Sequence, residues 1–276
     1  MSQSFEFTSK SIINKDKKLL AKNYAVVDQL VKSANGVLYN GVDRRSGEKV
    51  IIKQIPRRVI RHYFNVDERM CPSEIYFHFQ ASKVTNLVVK PLDWFETRSS
   101  FVLVMEEFEN GIDLFELSKL YGAIKEKSVK VIFHQIVECA SKLHSAGIIH
   151  RDYKDENVLV NLQTLEVKII DFGCATTIKS SYNELSGTRE FFPPEWFAHS
   201  EYEPEPLTVW SLGCILYILL LDKWDFQDGT FQRDVSLERH LTEEARTLIN
   251  SIFCPNPNER ANFKSVLDSV WFNNMV

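Results

Sequence analysis

The sequence predicts an α+β protein with two lobes: a small lobe with a five-stranded antiparallel β-sheet and one helix, and a large lobe that is mainly α-helical. Two observations support this prediction. Between residues 24 and 105 the apolar residues fall in short, β-rich runs separated by turn signals, which is the pattern of neighbouring strands. After a polar stretch at 106–111 that carries a glycine, apolar residues recur at steps of three and four, which is the pattern of amphipathic helices.

The predicted elements of the small lobe begin after a polar, lysine-bearing stretch. We expect this stretch, residues 1–22, to be a short extension with one helical turn and no activity of its own. Strands are then predicted at 24–27, 37–39, 49–53, 86–95 and 101–105, with turn signals at 33–36 and 43–47. Residues 106–111 read as a linker between lobes.

The large lobe is predicted to be built around two helices. The first ends at Gly147 and leads directly into His150, and its apolar residues are Val129, Ile132, Phe133, Ile136, Val137, Ala140 and Leu143. The second, Val209–Leu216, is apolar on all sides and is expected to be buried. Thr242 is placed to cap a third helix. One folded domain, 23–276, is therefore expected, with a small lobe at 23–105 and a large lobe at 112–276.

The composition of the chain excludes several classes of partner and location. The chain has 276 residues, 44% apolar and 25% charged, as in an ordinary globular protein. The net charge of −4 offers no general attraction for nucleic acid, so we expect no such partner. Five scattered cysteines without a C-x-x-C pair favour reduced thiols and a cytoplasmic location, with the nucleus as a second location. No signal-peptide core or membrane-length apolar run is found, so no membrane partner is expected.

Four short motifs carry the chemistry: HRDYKDEN at 150–157, DFG at 171–173, GTR at 187–189 and PPEW at 193–196. Transfer of the terminal phosphoryl group of ATP requires an acceptor carboxylate, a cation and metal-binding oxygens. Asp152 can accept the proton of a substrate hydroxyl, and Lys154 can meet the charge on the transferred group. The amide oxygen of Asn157 and the carboxylate of Asp171 are oxygen ligands of the kind that Mg²⁺ prefers.

In this order and at these spacings, the motifs resemble those of the protein kinase family. The resemblance runs from about Tyr24 to Phe272 and implies ATP- and Mg-dependent phosphoryl transfer by a two-lobed kinase fold. Thr188 stands where serine/threonine kinases bond to the catalytic aspartate, and with Lys154 it implies serine or threonine as the acceptor. The same resemblance makes His150 a packing residue. It also implies a buried ion pair between Glu195 and Arg260.

The resemblance implies an ATP site in the small lobe and the linker. Lys53 would bind the α- and β-phosphates, and Glu74 would hold Lys53 in place. The remaining ATP-binding residues implied are Leu30 and Gly36 in the glycine-rich loop, Leu38 and Ile51 in the roof, Met105 at the back, the main chain of Glu106 and Phe108 at the adenine edge, and Leu159 in the floor.

Further details resemble the Pim family of serine/threonine kinases: KDEN at 154–157, LDWFE at 92–96, the ending PPEW, and Thr208 where most kinases have aspartate. That family prefers basic residues before the target hydroxyl, so we expect protein or peptide substrates of this kind. The acidic residues that could receive them are Asp113, Glu116, Asp155 and Glu156, with Asp225 and Asp228 as weaker candidates. Pim kinases also work without phosphorylation of the activation segment, which here lies between Phe172 and Pro193. A monomer is expected.

Three residues depart from the family pattern. Val31 and Ser33 stand where two loop glycines belong, and side chains there keep the backbone further from the phosphates. Ile51 replaces the usual roof alanine, and extra methylene groups in a fitted pocket typically cost about 1–3 kcal/mol. In Pim proteins a linker proline removes a donor to adenine, whereas Phe108 would restore it.

Three functional hypotheses therefore stay open. The complete set of catalytic residues favours an active serine/threonine kinase. The altered loop and Ile51 are the reason to consider a pseudokinase that acts as a binding scaffold. A small-molecule phosphotransferase on a related fold is the third, although such enzymes generally lack the GTR and PPEW segment.

Overall fold

The computed structural model describes residues 15–273 except 34, 224–225, 232–234, 236–237 and 239. Residues 1–14 of the predicted extension, the candidate Asp225 and the last three residues lie outside this range. The chain divides into two compact units. The first contains the residues up to Ser82 together with Val89–Glu107, and the second contains Lys83–Val88 together with the chain from Phe108 onward.

The first unit is built on the predicted sheet. Its strands are β1 Tyr24–Lys32, β2 Val37–Asp43, β3 Lys49–Pro56, β4 Tyr63–Val66, β5 Arg69–Pro72, β6 Pro91–Glu96 and β7 Ser100–Glu106. Five of them form one antiparallel sheet in the order β1-β2-β3-β7-β6, which confirms the prediction. Helix α1 covers residues 15–23, and α2, Ser73–Val84, follows β5.

The two faces of this sheet have different environments. Val50 and Ile52 of β3 belong to a buried cluster against which Leu19 and Leu20 of α1 pack. Because side chains alternate along a strand, Ile51 and Lys53 point to the opposite face. The chain from residue 15 is therefore a helix packed on the sheet, longer than the single helical turn expected there.

One local prediction needs correction. The strand expected over 86–95 begins only at Pro91. Leu87, Val88 and Val89 are buried, but only Val88 makes a bridge, with Ile169, so burial outside a sheet explains this apolar run. The basic stretch at 57–62 contains a 3₁₀ turn, Arg57–Val59, and Arg57 pairs with Glu96 at 2.5 Å.

The second unit is mainly helical, as predicted. Its helices are α3 Leu114–Tyr121, α4 Glu126–Ser145, α5 Pro194–His199, α6 Pro204–Leu221, α7 Glu243–Ile252 and α8 Phe263–Leu267. Its strands are β8 Gly111–Asp113, β9 Ile148–Ile149, β10 Val158–Asn161, β11 Val167–Ile169, β12 Thr176–Thr177, β13 Phe226–Gln227 and β14 Thr230–Phe231. Thr242 caps α7 by accepting the N–H of Ala245 at 3.2 Å, as expected.

Helix α6 forms the centre of this unit. It is the one helix among the described residues that is long and apolar enough to cross a membrane, yet 89% of it is buried inside the protein. Next to it, Arg260 forms the expected pair with Glu195 through two hydrogen bonds of 2.8 Å. Both side chains are buried, so removing either one would leave an uncompensated charge, at a cost of about 3–5 kcal/mol.

Candidate active-site residues

The loop that carries Asp152 is held between two short strands. It leaves β9 at Ile149, makes a 3₁₀ turn at Asp155–Asn157 and enters β10. Arg151 and Asp171, which flank the site in sequence, have φ angles of 64° and 61°, in the left-handed region that side chains disfavour. Such conformations persist only where the surrounding structure enforces them, and they are common at functional sites.

Both carboxylate oxygens of Asp152 have hydrogen-bond partners. Oδ1 accepts the hydroxyl of Thr188 at 2.7 Å and its N–H at 2.9 Å. Oδ2 accepts an Nδ2 proton of Asn157 at 3.0 Å, and the same nitrogen donates to the Asp152 carbonyl at 2.9 Å. The expected bond between Thr188 and Asp152 is therefore present, and the carboxylate has a fixed orientation.

The contact between Thr188 and Asp152 depends on Gly187. This residue has a φ of 123°, and a Cβ built on it would lie 2.2 Å from the carbonyl oxygen of Arg151. No larger residue fits without moving the loop. The sequence identified the GTR motif, but it gave no indication of this close approach between two backbones.

Asn157 and Asp171 are neighbours through their main chains. The N–H of Ile170 donates to the carbonyl of Asn157 at 3.0 Å, and Asp171 follows directly. Because Nδ2 of Asn157 donates hydrogen bonds to Asp152, the amide oxygen is the atom of this side chain that could bind a metal ion. An amide oxygen and a carboxylate suit Mg²⁺, which keeps several waters and takes its other ligands from phosphates. The described residues contain no cluster of three or more His, Cys, Asp or Glu side chains that could hold a metal on its own.

Lys154 is paired with Glu156, with 2.5 Å between Nζ and Oε2. Burial acts to lower the pKa of Lys154, but the hydrogen bond to Glu156 and the charges of Asp152 and Glu156 outweigh it, so the pKa is raised. Lys154 therefore stays positively charged. Glu156, predicted as a substrate-binding residue, is 54% exposed and already has this intramolecular partner.

His150 is a buried packing residue. The N–H of Asp152 donates to its Nδ1 at 3.3 Å, so its Nε2 carries the proton and donates to the carbonyl of Ile170 at 3.1 Å. Burial lowers the pKa of His150. The imidazole is therefore neutral and supports the loop, as the family resemblance implied.

Arg151 binds the segment that follows the DFG motif. Its buried guanidinium lies 2.8 Å from the carboxylate of Glu184 and 5.4 Å from the ring centre of Tyr182. Its Nε donates to the carbonyl of Cys174 at 2.8 Å. Glu184 was not identified from the sequence, and no short motif marks it. Burial and the charge of Asp152 raise the pKa of the Cys174 thiol to about 11.

In the first unit, Lys53 and Glu74 form the expected ion pair, with 2.6 Å between Nζ and Oε1. Both side chains are largely buried. Leu38 lies opposite Lys53 in the β2–β3 ladder, and Ile51 lies opposite Met105 in the β3–β7 ladder. Directly opposed residues share a face of the sheet, so these candidate nucleotide-binding residues lie together.

The loop between β1 and β2 is closed on itself. The N–H of Ser33 donates to the carbonyl of Gly36 at 2.9 Å, and its hydroxyl donates to the same oxygen at 3.3 Å. A Cβ on Gly36 would lie 2.4 Å from the carbonyl oxygen of Gln54, so packing against β3 explains this glycine. Leu30 and Val31 are exposed on the strand before the loop.

The other linker and floor candidates have mixed environments. Met105 is buried, whereas Glu106, Phe108 and Leu159 are partly buried. The Glu106 N–H donates to the carbonyl of Lys90 at 3.0 Å, and the Phe108 carbonyl accepts the Gly111 N–H at 3.0 Å.

The acidic candidates for substrate binding also have structural roles. Asp113 caps α3 by accepting the N–H of Glu116 at 2.8 Å. Glu116 itself is 43% exposed and pairs with Lys119 at 3.2 Å. Asp155 is buried, and burial raises its pKa. Asp228 pairs with Arg189 at 3.0 Å.

Comparison with known proteins gives the same assignment along the whole domain. Residues 24–272 match the protein kinase domain family. The chain is 33% identical over 262 residues to the serine/threonine-protein kinase pim-2 of Danio rerio, covering 91% of this chain and 84% of that protein. It is 32% identical over 260 residues to the serine/threonine-protein kinase prk-2 of Caenorhabditis elegans, covering 91% of this chain and 58% of that protein. A PAS domain-containing serine/threonine-protein kinase of Mus musculus is 29% identical over 254 residues, which are 90% of this chain but 18% of that protein.

Proposed function

The chain belongs to the protein kinase family and is a serine/threonine kinase similar to the Pim kinases, and we propose that it is catalytically active. With Mg²⁺ it transfers the γ-phosphate of ATP to serine or threonine in peptides with basic residues. The observation that carries this proposal is the setting of Asp152, whose two carboxylate oxygens are held by Thr188 and Asn157. A scaffold protein has no need for such an arrangement.

Asp152 is the proposed proton acceptor. It hydrogen-bonds to the substrate hydroxyl, orients it and takes its proton as the oxygen attacks the phosphorus. Thr188 and Asn157 hold the carboxylate in one orientation, so the base is already oriented before the substrate binds. A positioned general base typically contributes about 10²–10⁴-fold to the rate.

The proposed charge stabilisation comes from separate groups. Lys154 is kept cationic by its acidic neighbours and stabilises the negative charge on the transferred phosphoryl group. Lys53, held by Glu74, binds the α- and β-phosphates. When bound through Asn157 and Asp171, Mg²⁺ would neutralise charge on the phosphate oxygens.

We extend the proposal to regulation. In kinases that require phosphorylation, a phosphate on the activation segment pairs with an arginine. Here the carboxylate of Glu184 already pairs with Arg151 at 2.8 Å. This pair supports an activation segment that is ordered without phosphorylation.

The preference for basic substrates rests on the exposed acids Glu116 and Glu156. The pair of Glu116 with Lys119 does not preclude this role, because an exposed ion pair is typically worth only about 0–1 kcal/mol and exchanges readily for a substrate arginine. Glu156 keeps its pair with Lys154, and its side chain is 54% exposed, so a substrate arginine can approach it from the solvent side. The proposal also keeps the expectation of a cytoplasmic or nuclear location, which the five free cysteines support, and the expectation of a monomer.

A catalytically weak or inactive scaffold is the second candidate. The observation in its favour is the β1–β2 loop, in which Ser33 closes the turn and Val31 replaces a glycine. Such a loop would weaken the binding of the nucleotide more than it would slow the phosphoryl-transfer step. It therefore leaves the Asp152 arrangement as the stronger indication.

Transfer of labelled γ-phosphate from Mg·ATP to an arginine-rich serine peptide tests the proposal. The wild type should incorporate label, and Asp152→Asn should lose about 10²–10⁴-fold in kcat because the amide cannot accept the proton. Asp268→Asn, the same chemical change at an exposed carboxylate in the same unit, is the matched control and should keep full activity.

Absence of incorporation by folded wild-type protein, over several peptides and with Mg²⁺ or Mn²⁺, would favour the scaffold. Equal activity of the wild type and Asp152→Asn would remove Asp152 from the mechanism.

A further inference from the structure

Asp16, on α1, is a buried acidic residue that the proposed chemistry does not use. Its side chain is 7% exposed and forms an ion pair with Arg69 at the start of β5. The same oxygen, Oδ2, accepts the N–H of Glu96 in β6 at 2.7 Å. One carboxylate thus joins α1 to two other elements of the first unit.

Arg69 depends on this carboxylate. Its guanidinium lies 4.0 Å from the ring centre of Trp94, which covers one face of it. Its Nε is buried and has no hydrogen-bond partner among the described residues. Without Asp16, the guanidinium would lose its anion in a partly buried position, a costly situation for a charged group.

Arg69 is only five residues from Glu74 in sequence, and a hydrogen bond and a ring stack connect this part of the chain to the residues of the β4 strand and its approach. Strand β5 runs from Arg69 to Pro72 directly into α2, whose second residue is Glu74. The N–H of Ser73 donates to the carbonyl of His62 at 3.0 Å. Phe64 of β4 stacks on Tyr76 of α2 with a centroid distance of 4.2 Å and an interplanar angle of 6°. The hairpin and the first turns of α2 therefore form one packed body.

We propose that Asp16 is a positioning residue for phosphoryl transfer. Through Arg69 it fixes the β4–β5 hairpin and the start of α2, and so holds Glu74 against Lys53. Helix α1 covers one face of the sheet, while Lys53 lies on the other, so Asp16 acts without touching the nucleotide. This inference rests on the proposed role of the Lys53–Glu74 pair in binding ATP.

A double-mutant cycle in the full chain tests the inference. Asp16→Asn should lower kcat/KM for Mg·ATP about tenfold, because small displacements of a catalytic group cost up to about 10²-fold. Glu74→Gln should lower it further. In the Glu74→Gln background, adding Asp16→Asn should have less than about a twofold effect, since the pair it positions is already broken.

Two controls separate positioning from stability. Asp43→Asn removes another buried carboxylate of the same unit, one that pairs with Arg45 at 2.6 Å in the β2–β3 turn. It should lower the melting temperature without the loss in kcat/KM. Arg69→Lys keeps the charge but not the geometry and should reproduce the kinetic effect of Asp16→Asn, even if the latter folds poorly.

Two results would overturn the inference while leaving the proposed function intact. In the first, Asp16→Asn lowers kcat/KM by the same factor in the wild type and in the Glu74→Gln background. In the second, Asp16→Asn lowers kcat/KM no more than Asp43→Asn does. If Glu74→Gln itself left kcat/KM unchanged, the proposed role of the ion pair would fail, and the inference would fail with it.

Discussion

Two loops of this protein contrast in how they are built. In the loop at 150–157, the side chains of Asp152 and Asn157 are hydrogen-bonded to each other, and Thr188 completes the arrangement. In the loop at 33–36, a serine hydroxyl and N–H close the turn onto its own backbone. The first loop matches the kinase pattern at each catalytic position, and the second keeps one glycine of three.

The proposed function explains this difference by what each loop would supply. Proton acceptance and metal binding require particular side-chain atoms, so no other residue type can replace those residues of the first loop that supply them. Covering phosphates requires only backbone N–H groups at a suitable distance, so side chains can be tolerated at the cost of weaker binding. Changes in the first loop should therefore lower kcat, and changes in the second should shift the KM for ATP.

Of the three further changes considered next, Asp171→Asn is expected to have the largest effect. This change keeps the shape of the side chain and its turn to Gly173 but removes the charge offered to Mg²⁺. We expect kcat to fall at least about 10²-fold and the Mg²⁺ concentration for half-maximal activity to rise. A magnesium titration of peptide phosphorylation measures both. Unchanged magnesium dependence would exclude Asp171 as a metal ligand.

An intermediate effect is expected at Glu184→Gln. Loss of the charge leaves the buried guanidinium of Arg151 without its anion, so the activation segment should become less ordered and kcat should fall about tenfold. Glu203→Gln, at an exposed glutamate just beyond this segment, is the matched control. Activity would be compared in protein shown by mass spectrometry to be unphosphorylated. If Glu184→Gln retained wild-type activity, the proposed substitution of Glu184 for a phosphate would be wrong.

The smallest effect, in the opposite direction, is expected from restoring the family glycines. The double change Val31→Gly and Ser33→Gly should let the loop approach the phosphates and lower the KM for ATP by about two- to fivefold, or about 0.4–1 kcal/mol. The kcat should change little, because no catalytic side chain is touched. Steady-state kinetics over a range of ATP concentrations distinguishes the two constants. A higher KM would show that the loop closed by Ser33 is the better binding conformation.

Most of the fold could be predicted because its pattern is local. Strands β1, β2, β3 and β7 appear as short β-rich runs with turn signals between them. Helix α4 appears as apolar periodicity, and α6 appears as a continuous apolar run. The β4–β5 hairpin was missed because Asp67 and Glu68, at its turn, have positive φ angles of 48° and 62°. Glycine or asparagine is the usual signal for such a turn, and neither residue is present there.

The candidate catalytic residues could be named from the sequence because chemistry restricts their identities and spacing. Tertiary contacts of residues outside the family motifs could not be predicted in this way. Glu184 lies 33 residues from Arg151, and Asp16 lies 53 residues from Arg69. Neither acid belongs to a motif, and in sequence each looks like an ordinary surface charge. Each acid contacts its arginine only in the folded chain.

The burial of Cys71 and Cys139 and the partial burial of Cys174 have a consequence for oxidative chemistry. The pKa of Cys174 is raised to about 11, and those of Cys71 and Cys139 to about 12. At pH 7 the Cys174 side chain is therefore almost entirely in the thiol form, whereas the thiolate is the form that reacts with peroxide and with electrophilic compounds. The enzyme should therefore keep its activity through oxidant exposures that inactivate proteins with a reactive active-site thiol, and covalent ligands aimed at the residue after the DFG motif should react slowly with it.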